Sequence, residues 1–201
     1  MQTTTDNEID FEMNNVMKMR RVPAVLPDLE AAAAAWGANC GPMSLAAVLG
    51  LPTVEAARPL VQPFRGFMTP TDMRAALANA SRAQLVQSHC LRPEATQRTD
   101  PWPASGLGLV RIQWVGSWLD HGVDPRAAYR YTHWVGARRG LPKDDERGGG
   151  YDDDAVFIYD CNANAWLPLD VWAAWCPTLW PKRATGWRPA TRIDVIRRTG
   201  R

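Results

Sequence analysis

Trp36-Gly37-Ala38-Asn39-Cys40-Gly41-Pro42-Met43-Ser44-Leu45-Ala46-Ala47-Val48-Leu49 is the stretch from which the rest of the chain is best read. Before it, Asp28 to Trp36 carries five consecutive alanines, Ala31 to Ala35, and favours a helix that Gly37 breaks. After Cys40, Gly41 to Leu49 reads as a short, mostly apolar helix. Pro42 stands in its first turn, where a missing N–H does no harm, and Gly50-Leu51-Pro52 ends it. A helix start offers free N–H groups and the positive end of a dipole. Both stabilise a thiolate, and the same N–H groups can hold a developing oxyanion. Cys40 is therefore a candidate nucleophile; the competing reading is a small buried hydrophobe.

Downstream of this helix, two more are expected. One starts at Thr53 and stops before Pro59. The other is capped by Thr69, has Pro70 at its first position and Asp72 three after the cap, and runs to about Ala80. Then the pattern changes. Ala83–His89, Gly108–Trp114, Tyr131–Arg138, Ala155–Tyr159 and Thr191–Ile196 are short, β-branched or aromatic, and bounded by Gly, Pro or Asp. Helices first and strands second predict an α+β domain, a helical half packed on a mainly antiparallel sheet. Residues 1–21 read as a flexible lead-in and 22–201 as one domain. Leu141–Asp154, charge-rich with three consecutive glycines, reads as a solvated loop, and its Asp152-Asp153-Asp154 lacks the alternating ligands of a calcium loop.

A thiol nucleophile needs a base, and His133 is the candidate. In Tyr131-Thr132-His133-Trp134-Val135-Gly136-Ala137, strand alternation puts Tyr131, His133, Val135 and Ala137 on one face. The base in turn needs an orienting partner. The apolar strand Ala155–Tyr159 ends in Asp160-Cys161-Asn162, so Asp160, with Asn162 as the fallback, can take the other imidazole N–H. His89 and Cys90 are adjacent strand residues facing opposite sides and cannot form a dyad. His121 falls in a loop by composition, and Arg126 and Arg130 are candidate rim contacts.

The chain's 201 residues suit one domain with a sizeable core, and 46% hydrophobic with 22% charged residues is ordinary globular composition. Ten tryptophans can build a core or line a groove, and the sequence leaves that choice open. A net charge of +2 with no basic stripe argues against nucleic acid. The C-terminal Arg192, Arg197, Arg198 and Arg201 read as a solvated tail or edge strand. No stretch reaches a membrane span or a secretory signal, so a cytoplasmic protein is expected. Four cysteines without paired spacing suggest reduced thiols rather than disulfides or structural zinc. No cofactor or metal is expected.

Asn-Cys-Gly-Pro opening a helix, a histidine opening a later strand and a strand ending in Asp resemble the papain-like cysteine peptidase superfamily. The closest likeness within it is to the bacteriocin-processing, double-glycine-leader peptidases. The matching positions are Asn39 to Leu49, His133 to Gly136, and Phe157 to Asp160 followed by Leu169 to Trp175. The chain also resembles bacterial and phage-borne proteins that share Trp-Gly-Ala-Asn-Cys-Gly-Pro and Thr-His-Trp-Val-Gly. The resemblance implies a papain-like fold, a Cys40–His133–Asp160 triad and a protein or peptide substrate. One position departs: the family's oxyanion glutamine, about six residues before the cysteine, is Ala34 here. Asn39 or Gln113 would have to replace it. The function expected is hydrolysis of a peptide, isopeptide or amide bond. The alternatives are transfer or deamidation by the same three residues, or a binding module that keeps the fold without the chemistry.

Overall fold

The computed structural model describes residues 25–80, 84–90, 100–140 and 154–197. The expected lead-in, most of the Leu141–Asp154 loop, and Arg198 and Arg201 lie outside them, as do the side chains of His89, Cys90 and Arg126.

Among the described residues six strands make one sheet in the order β1-β6-β2-β3-β4-β5, antiparallel at every pairing. They are β1 (Gln84–Cys90), β2 (Gly106–Val115), β3 (Thr132–Arg139), β4 (Val156–Asp160), β5 (Ala165–Pro168) and β6 (Gly186–Arg197). Five coincide with expected strands. β5 was not expected, because four residues ending in a proline give no alternating pattern to read. β6 corrects the reading of the C-terminal arginines as a tail or edge for Arg192 and Arg197: both stand in this strand, which lies between β1 and β2, and Arg192 is ion-paired to Asp194 at 3.1 Å.

The helices are α1 (Leu29–Trp36), α2 (Cys40–Leu49), α3 (Arg58–Val61), α4 (Pro70–Ala80), α5 (Pro125–Tyr129) and α6 (Leu169–Trp175). α4 has its expected start: Thr69 Oγ1 accepts from the Asp72 N–H at 3.2 Å, and Asp72 Oδ2 accepts from the Thr69 N–H at 2.9 Å. The helix expected from Thr53 to before Pro59 is different. A 3-10 turn over Glu55–Ala57 leads into α3, and Pro59 sits inside the first turn of α3 instead of ending a helix. A first-turn N–H has no partner within the helix, so proline fits there as well as it does beyond a helix end.

Both faces of the sheet are covered. Leu109, Trp134, Phe157, Tyr159 and Ile193 pack with Leu45, Met73 and Leu77 from the helices on one side. Val110, Ile112, Val135, Ala137 and Ile158 pack under Trp172 on the other. Trp172 lies edge-on to Trp102 at 6.0 Å and to Trp187 at 5.2 Å, and seven of the ten tryptophans lie in or against that second core. α2 is the central helix: Gly41 through Val48 are all buried, as a helix apolar on every side requires. Gly136 lets it rest directly on β3, for a Cβ there would stand 3.0 Å from Val48 Cγ2 and 3.1 Å from Tyr159 Cβ.

One mismatch of strand lengths creates the site. β4 pairs with β3 only from Gly136 to Arg139, so Thr132 to Val135 run on without a β4 neighbour. The N-terminus of α2 takes that place: Ser44 Oγ donates to the Trp134 carbonyl at 2.9 Å. Among the described residues no helix is long and apolar enough to cross a membrane.

Candidate active site

The structure brings Cys40, His133 and Asp160 together. Cys40 is the first residue of α2, after Asn39 in extended conformation, and its side chain is partly accessible. Asn39 caps the helix by accepting the Gly41 N–H on Oδ1 at 3.2 Å. The Cys40 N–H, at the first helical position, is one that no turn of its own helix can satisfy.

His133 enters from β3 on the face it shares with Val135 and Ala137, and is 8% exposed. Its Nε2 meets Asp160 Oδ2 at 3.0 Å, which leaves Nδ1 as the nitrogen available to Cys40. The Trp114 ring stacks on the imidazole, with centroids 6.2 Å apart and planes 19° from parallel.

Asp160 ends β4 and is fully buried. Besides His133, its Oδ2 accepts the Trp172 indole N–H at 2.9 Å, and its Oδ1 accepts the Asn162 backbone N–H at 2.9 Å and side-chain amide at 3.0 Å. Each oxygen thus takes two donors. Such saturation is how a buried carboxylate stays ionised. Asn162, the sequence's fallback partner for His133, instead braces the residue that plays that part.

The titration behaviour follows from this packing. Burial pushes the Cys40 thiol up, but the charge of His133, a hydrogen bond to the imidazole and one from the Trp134 backbone outweigh it; the thiol lies below its ordinary 9.0. Burial pushes His133 down, and the Cys40 charge with the Asp160 and Cys40 hydrogen bonds carry it up to about 10 from 6.5. Burial also raises Asp160, yet the hydrogen bond and charge of His133, then Trp172 and Asn162, hold it below the usual carboxylate range. Each shift runs in the direction that favours a thiolate beside an imidazolium beside a carboxylate.

The other described thiols lack this. Burial pushes the Cys161 thiol well up, and Cys176 is pushed up to about 12 by burial and the Asp160 charge. The ligand atoms of Cys161, His133 and Asp160 lie within 4.8 Å of one another. With both Asp160 oxygens already filled by N–H donors, the arrangement is one of hydrogen bonds rather than of metal ligation.

Gln113 does not belong to the site, which corrects the expectation that it donates to an oxyanion. Its buried amide Nε2 is committed to the carbonyls of Trp114, Ala128 and Tyr131, at 3.2, 3.1 and 2.9 Å, and so ties α5 to the sheet. Asn39 is at the site, but one Nδ2–H is spent on the Gly66 carbonyl at 2.6 Å. Ala34 is exposed on α1.

A cleft of about 710 Å³ opens beside Cys40, with Phe67, Met68, Tyr129, Arg130 and Trp134 in its lining. Its Gly66–Met68 part hangs from the neighbours of Cys40 and His133: Asn39 holds the Gly66 carbonyl, and Trp134 Nε1 holds the Met68 carbonyl at 2.9 Å. Phe67, between the two tethers, and Tyr129 are more than half exposed at the mouth. Arg130 lines this cleft, while His121 is exposed and stands outside it.

Trp172, Trp114 and the Gly66–Thr69 wall were not found from sequence. Trp172 lies twelve residues beyond Asp160 with no local pattern linking them, and only the return of α6 over the sheet joins the two. The chain matches no family model, no curated protein and no solved structure.

Proposed function

We propose that this protein is a papain-like thiol hydrolase that cleaves a peptide, isopeptide or amide bond. The observation that carries the reading is the buried His133–Asp160 bond at 3.0 Å, with Cys40 on the imidazole's other side at a helix start that opens on a cleft. The Cys40 thiolate attacks the carbonyl carbon, and the resulting oxyanion lies against the Cys40 backbone N–H. As the C–N bond breaks, the His133 imidazolium gives its proton to the leaving nitrogen, and a thioester on Cys40 remains. Neutral His133 then takes a proton from water, whose oxygen attacks the thioester. Carboxylic acid leaves, and the thiolate–imidazolium pair returns. Asp160 keeps the Nε2 proton in place throughout and stabilises the charged ring.

The test is to incubate wild type and Cys40→Ser with a mixed peptide digest and read both partners by mass spectrometry. The reading predicts newly cut chains and a hydroxylamine-sensitive acyl adduct on Cys40, both absent in Cys40→Ser. A deamidated glutamine without chain cleavage would assign the same three residues to deamidation. Equal products from both proteins would remove Cys40 from the chemistry.

A further inference from the structure

Ser44 is fully buried and takes no part in the reaction steps above. It stands one turn after Cys40 on α2, and residues four apart share a helix face. A serine in a helix interior usually faces solvent or bonds back to its own helix. This one spends its hydroxyl across 90 positions of sequence, on the Trp134 carbonyl at 2.9 Å.

In a β-strand the N–H and C=O of one residue point to the same side. On β3 the open side at Trp134 is the one that β4 does not reach and α2 fills. Holding the carbonyl there turns the Trp134 N–H toward the same helix, and the Trp134 backbone is among the causes that lower the Cys40 thiol. The indole of Trp134 is fixed separately on the Met68 carbonyl, so backbone and ring are both anchored. Trp134 follows His133 directly, and a shift of its backbone moves the imidazole as well.

We propose that Ser44 is a positioning residue for the nucleophile: by holding the Trp134 carbonyl it fixes the β3 backbone against α2 and keeps His133 in register with Cys40. This rests on the thiolate–imidazolium reading of the site. Ser44 touches neither substrate nor reacting atoms, and its effect is on how far the thiolate is favoured.

The experiment is the pH dependence of Cys40 alkylation by iodoacetamide, resolved peptide by peptide, in wild type, Ser44→Ala, Ser44→Cys and Val48→Ala. Ser44→Cys keeps the side chain's size with a weaker donor and serves if Ser44→Ala does not fold. Val48→Ala opens the same buried helix against Gly136 without touching the Ser44 bond. The expected result is a midpoint raised by about half a pH unit or more in both Ser44 variants, a fall of about threefold in labelling rate on the acid side. Val48→Ala is expected to melt earlier with the wild-type midpoint. Ser44 variants that melt earlier but keep the wild-type midpoint would overturn the proposal and leave Ser44 a packing residue. A wild-type Cys40 that titrates like the other cysteines would instead overturn the underlying reading, and the positioning role with it.

Discussion

Asn162 holds Asp160 twice, with its backbone N–H at 2.9 Å and its side-chain amide at 3.0 Å, both on Oδ1. The double grip fixes the carboxylate plane and leaves Oδ2 for His133 and Trp172. The orientation of the imidazole beside Cys40 is thus set through Asp160 by Asn162. A turn residue two positions beyond the strand end does the setting.

Asp160→Asn tests that chain of support. An amide presents an NH2 where one pair of N–H donors now finds an acceptor, so at least one buried donor loses its partner. The expected stability loss is about 3 kcal/mol by thermal or urea melting. The Cys40 labelling midpoint should rise as well, because the imidazolium loses its counter-charge. An unchanged midpoint in a folded Asp160→Asn protein would separate Asp160 from the site's electrostatics.

Gln113→Ala distinguishes structure from catalysis. It removes one of two donors from the carbonyls of Trp114, Ala128 and Tyr131, which keep the Trp118 indole N–H and the backbone N–H groups of Tyr131 and Trp114. The expected cost is about 0.5–1.5 kcal/mol in stability. The acid-side labelling rate of Cys40 should stay within about twofold of wild type, a difference of less than ~0.5 kcal/mol. A large loss of turnover with little loss of stability would return Gln113 to the oxyanion role.

Gly136→Ala addresses the contact between α2 and β3. The new methyl would stand 3.0 Å from Val48 Cγ2 on α2 and 3.1 Å from Tyr159 Cβ on β4, so these neighbours must give by a few tenths of an ångström. Overpacking of this kind costs about 1–3 kcal/mol. Because α2 carries Cys40 and β3 carries His133, Cys40 labelling should slow together with the loss of stability. A variant as stable and as reactive as wild type would show that the contact has slack.

The pair also shapes stability against pH. His133 is raised from 6.5 to about 10 on folding, so its contribution is complete below 6.5 and is lost as pH rises through about 10. Cys40 is lowered from 9.0, so its contribution is complete above 9.0 and is lost as pH falls through its depressed value. The two contributions are thus lost in opposite directions, that of Cys40 toward acid and that of His133 toward alkali. Wild type minus Cys40→Ser, measured by thermal melts across pH, should therefore pass through a maximum and decline on both sides. A difference that only rises or only falls across this range would contradict the ion pair.

Much of this site was legible because its parts sit at local landmarks. Asn39-Cys40-Gly41-Pro42 announces a helix start by its cap and its proline, and α2 begins at Cys40. His133 lies in a clean alternation and Asp160 at the end of an apolar run, which became β3 and β4. What supports them was not legible, because it is made by tertiary contact. Trp172 reaches Asp160 only through the fold-back of α6, Ser44 reaches Trp134 across the sheet's gap, and Trp114 covers His133 from β2. Gln113 misled because a buried glutamine beside the site reads the same in sequence whether it faces substrate or backbone carbonyls. Pro59 misled because proline marks a helix's first turn as well as its end.

The most direct measurement is the pH dependence of Cys40 alkylation by iodoacetamide in wild type and His133→Ala, with Cys161 and Cys176 read in the same samples. The account predicts that wild-type Cys40 labels well below the ordinary thiol range of about 8.5. It also predicts that this reactivity is lost in His133→Ala, while Cys161 and Cys176 stay slow in both. Cys40 labelling no faster than those two thiols, and unchanged by His133→Ala, would contradict the thiolate–imidazolium pair and leave a binding module on this fold.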